Sequence, residues 1–244
     1  MSRAKKAIIL IVEGITDEIV MEPIHQLISK HKLYIKVVNG DSYTQIWQKN
    51  TSAKEIVGEI MKTVKKETRF SNSDIAQVIQ IIDTDGVFIG DDHFIVEDAL
   101  KTEDGKTYSY DFASRTVKVA SESARNALLK KWNRKKDLVK ALRSGINYSS
   151  SKIPFNLYFN SLNMDHVITD YILKKDEKDL AALKFIESTG NDLTKYIDFF
   201  NSKSSYLSYK DSWETVISDE EWDCSKSNVA FLINKVIELE TSDA

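Results

Sequence analysis

Residues 7–18, AIILIVEGITDE, and residues 79–86, IQIIDTDG, decide how this chain folds. Each is an apolar, β-type run that stops abruptly at carboxylates, Glu13 in the first and Asp83 and Asp85 in the second. A strand buried on both faces of a parallel sheet reads as such an unbroken run, and its C-terminal edge is where acidic side chains can be delivered to a crevice. One Glu and an Asp-x-Asp pair are therefore expected to face each other. Three carboxylates held that close repel and stay partly protonated unless a hard cation neutralises them. The residues alone thus point to a divalent metal, Mg²⁺ or Mn²⁺.

Working outward, strand 1 covers 7–12, Gly14 frees the backbone for a tight turn, and Thr16 or Asp17 is expected to cap a helix over 18–30. Ile19, Val20, Ile24, Leu27 and Ile28 form its packing stripe, with Pro23 near its start. Asp17, four residues past Glu13, is either a second-metal ligand or an ordinary helix N-terminal acid. A second strand over 34–38 ends at the turn signal Asn39-Gly40-Asp41. Residues 51–68 read as an amphipathic helix, and 75–82 as the third strand. This βαβαβ order implies a parallel sheet with right-handed crossovers, and it brings both acidic clusters to one edge.

Past Gly86 the pattern loosens into an acidic region, where Asp91 and Asp92 are exposed loop acids or reach toward a metal. Asp104-Gly105 suggests a hairpin turn. Residues 115–152 then carry eleven basic residues against Glu122 and Asp137. Within them, 123–142 reads as a helix with the stripe Leu128, Leu129, Trp132, Val139 and Leu142. Lys130, Lys131, Arg134 and Lys135 on its other faces are a candidate nucleic-acid surface, since phosphate contacts supply most non-specific affinity. An ordinary solvated face has the same composition. A fourth strand over 153–159 is expected to bring Asn160, Ser161, Asp165 and His166 to the metal edge. Asp165 is an extra metal ligand or a helix cap there; His166 meets substrate phosphate, or is a packed or exposed side chain. Beyond about residue 174 the chain reads helical, over 179–188, 193–201 and 228–240. Tyr206, Tyr209, Trp213 and Trp222 serve the core or stack on bases.

With 244 residues and 42% apolar composition, the chain is long enough for one large domain or a domain with an appendage. Cys224 is the only cysteine, which excludes an intrachain disulfide and a Cys-rich zinc site. The apolar run after the basic N-terminus ends at Glu13, too soon for a secretory signal, and no run is long enough to span a membrane. A cytoplasmic location is expected by default. The net charge of −3 hides an asymmetry: residues 1–160 carry 25 Lys and Arg against 20 Asp and Glu, and residues 161–244 carry 9 against 17. A nucleic-acid surface is therefore sought in the front part.

VEGITDE followed by IIDTDG resembles the Toprim domain, the metal-binding core of topoisomerases, primases and several nucleases, over roughly the first half of the chain. The resemblance implies an α/β, Rossmann-like parallel sheet flanked by helices. It divides the chain into a catalytic domain over 1–172, with a basic insertion over 87–150, and a helical C-terminal region over 173–244. Glu13, Asp83 and Asp85 become its catalytic residues, joined as metal ligands by Asp17 and Asp165. Lack of room for a tyrosine-bearing partner domain argues against a topoisomerase, and lack of a zinc module argues against a primase. The segment after 159 also resembles small stand-alone Toprim nucleases linked to phage resistance, of the overcoming-lysogenization-defect type. That likeness implies cleavage of DNA or RNA, a transfer RNA included, beside an ATPase. No G-x-x-x-x-G-K-[ST] loop occurs here, so any ATPase is a separate chain. A homo-oligomer stays open.

Two other readings compete. IIDTDGVF resembles the haloacid-dehalogenase phosphatase signature, with Asp83 as nucleophile and Asp85 as general acid, but its strand is third and Glu13 has no role. The other is a catalytically silent Toprim module that binds nucleic acid or a partner. Against it stands the intact set Glu13, Asp83 and Asp85, which a pure scaffold has no reason to keep.

Overall fold

The computed structural model describes residues 5–38, 51–100, 102, 105–144, 153–190 and 192–241. Four strands, β1 (Ala7–Val12), β2 (Lys32–Val37), β3 (Ile75–Asp83) and β7 (Phe155–Asn160), form a parallel sheet in the order β2-β1-β3-β7. All six residues of β1 are buried. Pleating sends Ile8, Leu10 and Val12 into one apolar layer and Ala7, Ile9 and Ile11 into the other, which is why the run shows no polar alternation. The fold is thus α/β, a parallel sheet with helices on its faces, as the two apolar runs require.

The path of the chain fixes where a site can form. It leaves β1 for β2 on one side, then returns to β3 and β7 on the other. The carboxyl ends of β1 and β3 therefore lie at the point where strand order reverses, the usual place for a ligand crevice in an open α/β sheet. Register sets Asp83 opposite Asn160 at the same edge.

The helix expected over 18–30 is shorter and starts earlier. Helix α1 spans Ile15–Met21 and gives way to a 3₁₀ segment over Glu22–Leu27 that carries Pro23 in its first turn. Proline lacks the N–H for an α-helical bond and clashes with the preceding turn, so the α-helix stops before it. Neither Thr16 nor Asp17 is the N-cap; Gly14 is, and Asp17 closes the cap from inside the first turn. Helix α2 (Ala53–Thr68) begins at Ser52, whose hydroxyl accepts from the Glu55 amide at 3.3 Å while Glu55 accepts from the Ser52 amide at 2.8 Å. The turn at Asn39 to Asp41 lies outside the described residues.

Between β3 and β7 the insertion builds its own small sheet. Strands β4 (Phe94–Val96), β5 (Tyr108–Asp111) and β6 (Thr116–Val119) take the order β4-β6-β5. Asp104 lies outside the described residues, and the Gly105 amide does donate to Thr102 O in a turn. That turn joins no hairpin, because β4 pairs parallel to β6. The hairpin is β5–β6, turned at Arg115 with φ 52° and held by the Ser114 amide on Asp111 Oδ1. Helix α3 (Glu122–Arg143) follows, with Leu128, Trp132, Val139 and Leu142 buried against the sheet layer.

The C-terminal part contains α4 (Met164–Thr169), α5 (Lys178–Thr189), α6 (Leu193–Lys203), α7 (Tyr209–Ile217) and α8 (Val229–Thr241). These helices complete the central core: Val229, Leu232 and Ile233 share a layer with Ile8 and Leu10. Trp213 and Trp222 are buried in the opposite layer, so packing takes the aromatics that stacking on bases would need. No helix among the described residues is long and apolar enough to cross a membrane.

Candidate metal centre

Strand β1 runs out at Glu13, and Gly14 starts the turn into α1. The Gly14 amide donates to Asp17 Oδ2 at 2.8 Å, which folds the Asp17 carboxyl back toward the strand end and buries it. Asp17 is therefore both a first-turn acid and part of the crevice. On the adjacent strand, β3 ends at Asp83, and Asp85 follows with φ 48°. This left-handed conformation is unusual for a side chain with a Cβ. It is clamped from both sides: the Asp85 amide donates to Leu162 O at 2.8 Å, and the Tyr110 hydroxyl donates to Asp85 O at 3.0 Å.

Strand β7 contributes Asn160, whose Nδ2 makes a long contact of 3.5 Å with Asp83 Oδ1. Ser227 Oγ donates to Asn160 Oδ1 at 3.0 Å, which turns the amide nitrogen toward Asp83. Asp165, on α4, is fully engaged: Oδ1 accepts from Lys178 Nζ at 2.7 Å and Oδ2 from the Leu173 amide at 2.9 Å. His166 is buried, stacked on Phe112 with centroids 5.1 Å apart, and burial lowers its pKa. It is a packed ring, not an exposed one.

The basic helix is divided between two environments. Lys130 and Lys131 are exposed and Arg134 is half-buried. Lys135 instead turns into the acidic crevice, where its side chain is 12% exposed. Its Nζ lies 2.6 Å from Asp85 Oδ2 and 3.5 Å from Glu13 Oε1. The expectation that Lys135 shares a solvated phosphate-binding face with its neighbours is corrected accordingly. A sequence signal for this exists: Leu128, Trp132, Lys135, Val139 and Leu142 follow the 4-3-4-3 spacing of one helical stripe, so Lys135 holds a position on the buried side. Lys178 carries no comparable signal.

The electrostatics are those of a desolvated acidic cluster. Burial, aided by Asp85 and Asp17 and opposed by Lys135, pushes Glu13 up to about 7. Burial likewise pushes Asp17 up to about 7, against the Gly14 amide and Lys178, with Asp165 adding to the rise. Asp83 is raised well above the carboxylate range by burial and by Asp17, Glu13 and Asp85. Burial works to lower Lys135, but Asp85 and Glu13 outweigh it and hold the ammonium firmly charged. Glu13 Oε1 is buried with no hydrogen-bond partner among the described residues.

Those observations fit a hard divalent cation. The donor atoms are carboxylate oxygens, burial and neighbouring carboxyls raise Glu13, Asp17 and Asp83, and Glu13 Oε1, buried without a hydrogen bond, faces Lys135 Nζ at 3.5 Å. Glu13, Asp83, Asp85 and Asp17 are the residues that would hold it. Their oxygens do not form a tight preassembled triad; among the described residues, the three ligand atoms that all lie within 4.8 Å of one another belong to Asp92, His93 and Asp219. The loop acid Asp92 is thus joined by two residues the sequence did not single out, because Asp219 lies over a hundred positions away. That group is at the surface, and Asp219 Oδ2 already accepts from the Gly90 amide at 2.9 Å. A cleft of about 710 Å³ between α4, α5 and α6 has mainly apolar walls, including Leu173, Leu180 and Phe185, and contains none of the five crevice carboxylates. No protein-family model, curated protein or solved structure matches this chain.

Proposed function

We propose that this chain is a metal-dependent nuclease of Toprim type, cleaving phosphodiesters of DNA or RNA with Mg²⁺ or Mn²⁺ bound in the acidic crevice. One observation carries the reading. Glu13 meets Asp83 and Asp85 at the point of strand-order reversal, where burial first and neighbouring carboxyls second raise Glu13 and Asp83, and Glu13 Oε1 lacks a hydrogen bond. A divalent ion bound there supplies an activated water and charge stabilisation at the phosphoryl oxygens.

The chain's own groups account for the rest. Glu13 would serve as a ligand of the ion or, through an oxygen the ion leaves free, as the group that accepts and returns a proton. Lys130, Lys131 and Arg134 offer positive charge for a phosphate backbone on the helix that also carries Lys135. Asn160, oriented by Ser227, steadies Asp83. A silent binding module is the poorer reading, because burying mutually repelling carboxyls costs stability that a scaffold has no reason to sacrifice. A phosphatase using Asp83 as nucleophile leaves Glu13 unemployed. By the resemblance of its motifs, the nuclease is an effector in anti-phage defence that works with a separate ATPase chain.

The test is incubation of the purified chain with plasmid and total RNA in Mg²⁺ or Mn²⁺. Cleavage that stops with chelator and is lost in Asp85→Asn supports the reading. Cleavage that persists in chelator, or full activity in the variant at saturating metal, overturns it.

A further inference from the structure

We infer that Lys135 is a built-in cation of the acidic crevice, holding by its ammonium one of the two cation positions, so that the centre takes a single divalent ion. This rests on the crevice being the metal site, and goes beyond it by fixing how many ions it takes and which residue sets that number.

The argument begins with how Lys135 is held. It projects from the middle of α3, one turn after Trp132, which is buried. Trp132 packs so closely on the turn after Asp85 that a Cβ on Gly86 would stand 3.0 Å from its Cη2. Gly86 has φ +73° as well, so both the backbone and the space at this position require glycine. Val139 and Leu142 bury the next two turns. The lysine is thus anchored at its root against the very turn whose carboxylate it meets, and is not a surface side chain that happens to fold over.

The second part is the inventory of ligand oxygens. A pair of ions about 3.5 to 4 Å apart needs a bridging carboxylate and further carboxylates flanking each ion. Lys135 engages Asp85 Oδ2 and lies against Glu13 Oε1. Lys178 and the Leu173 amide take both oxygens of Asp165, and the Gly14 amide takes Asp17 Oδ2. Asp83, with the remaining oxygens of Glu13, Asp17 and Asp85, is enough for one ion, because Mg²⁺ keeps several waters and binds through one or two carboxylates. A second ion needs the oxygens that Lys135 faces. The lysine already supplies positive charge at that position, and, with Lys135 12% and Glu13 15% exposed, little water screens its repulsion of a divalent ion a few ångströms away.

The experiment counts Mn²⁺ bound to the full chain by electron paramagnetic resonance titration, with Mg²⁺ competition as a check. An Asp92→Ala background takes the exposed carboxylate out of the surface group with His93 and Asp219. The expected result is one ion per chain in that background and two after adding Lys135→Met, the first bound at least about tenfold more tightly than before. Lys135→Arg, which keeps the charge, should still give one. Two ions with Lys135 intact, or only one after Lys135→Met at whatever affinity, overturns the inference while leaving the metal site in place. No bound ion at all overturns the proposed function along with it. If Lys135→Met does not fold, Lys135→Gln, which also removes the charge, is counted in its place and read the same way.

Discussion

Replacing Glu13 with Gln should make the protein more stable in chelator and less responsive to metal. In the folded state Glu13 rises from its ordinary 4.5 to about 7, chiefly because burial desolvates it. A raised carboxyl binds its proton more tightly folded than unfolded, so between those two values the native state carries the extra proton and stability falls as pH rises. Below about 4.5 both states are protonated and the penalty is absent; above about 7 it is complete. It amounts to roughly 3 kcal/mol, at about 1.36 kcal/mol per pH unit. Gln removes the ionisation, so the variant should melt higher at pH 8.5 in chelator by up to about 6 to 12 °C, taking about 2 to 4 °C per kcal/mol for a chain of this size. At pH 4 the two should melt together. Saturating Mg²⁺ should stabilise the parent at pH 8.5 far more than the variant. The assay is thermal unfolding followed by circular dichroism at both pH values, with chelator and with metal. Equal melting temperatures at pH 8.5 in chelator would refute the view of Glu13 as a desolvated, repelled carboxyl.

Other consequences follow from the surrounding groups. Replacing Lys130, Lys131 and Arg134 with Ala should weaken binding of unrelated nucleic-acid sequences about equally and flatten the log–log salt slope by roughly 2 to 3, since each lost phosphate contact removes about 0.7 to 0.9; filter binding across a salt series reads this, and an unchanged slope would reduce the helix to a solvated face. Lys178→Met should strand the buried Asp165 carboxylate and destabilise the fold by about 3 kcal/mol or more. Urea unfolding measures it, and a cost near zero at neutral pH would show that the pair is not what satisfies Asp165.

Much of the central sheet was legible because burial writes itself plainly into a parallel strand. AIILIV and IQIID are dominated by buried apolar residues, and their carboxylates mark where each strand ends. The same clarity located Glu13, Asp83 and Asp85. The small sheet of the insertion was not legible: its strands are three or four residues long, and Ile95 and Val96 are exposed, so neither length nor pattern sets them apart from loop. Pro23 announced the early end of α1, yet the apolar stripe beyond it continued in helical spacing and concealed the break. Lys135 was hidden by its neighbours, since in KKWNRKK a single inward lysine is visible only when its spacing from Trp132 and Val139 is counted. Long-range groupings such as Asp92 with Asp219, or Lys178 with Asp165, depend on tertiary approach and leave no local mark.

The most direct test of the metal-centre reading is a crystal of the chain grown with Mn²⁺ and measured near the manganese absorption edge. A single anomalous peak bordered by Glu13, Asp83 and Asp17, lost in Asp83→Asn, is the result expected. Anomalous density only at Asp92, His93 and Asp219, or no peak in the crevice at saturating Mn²⁺, would contradict it.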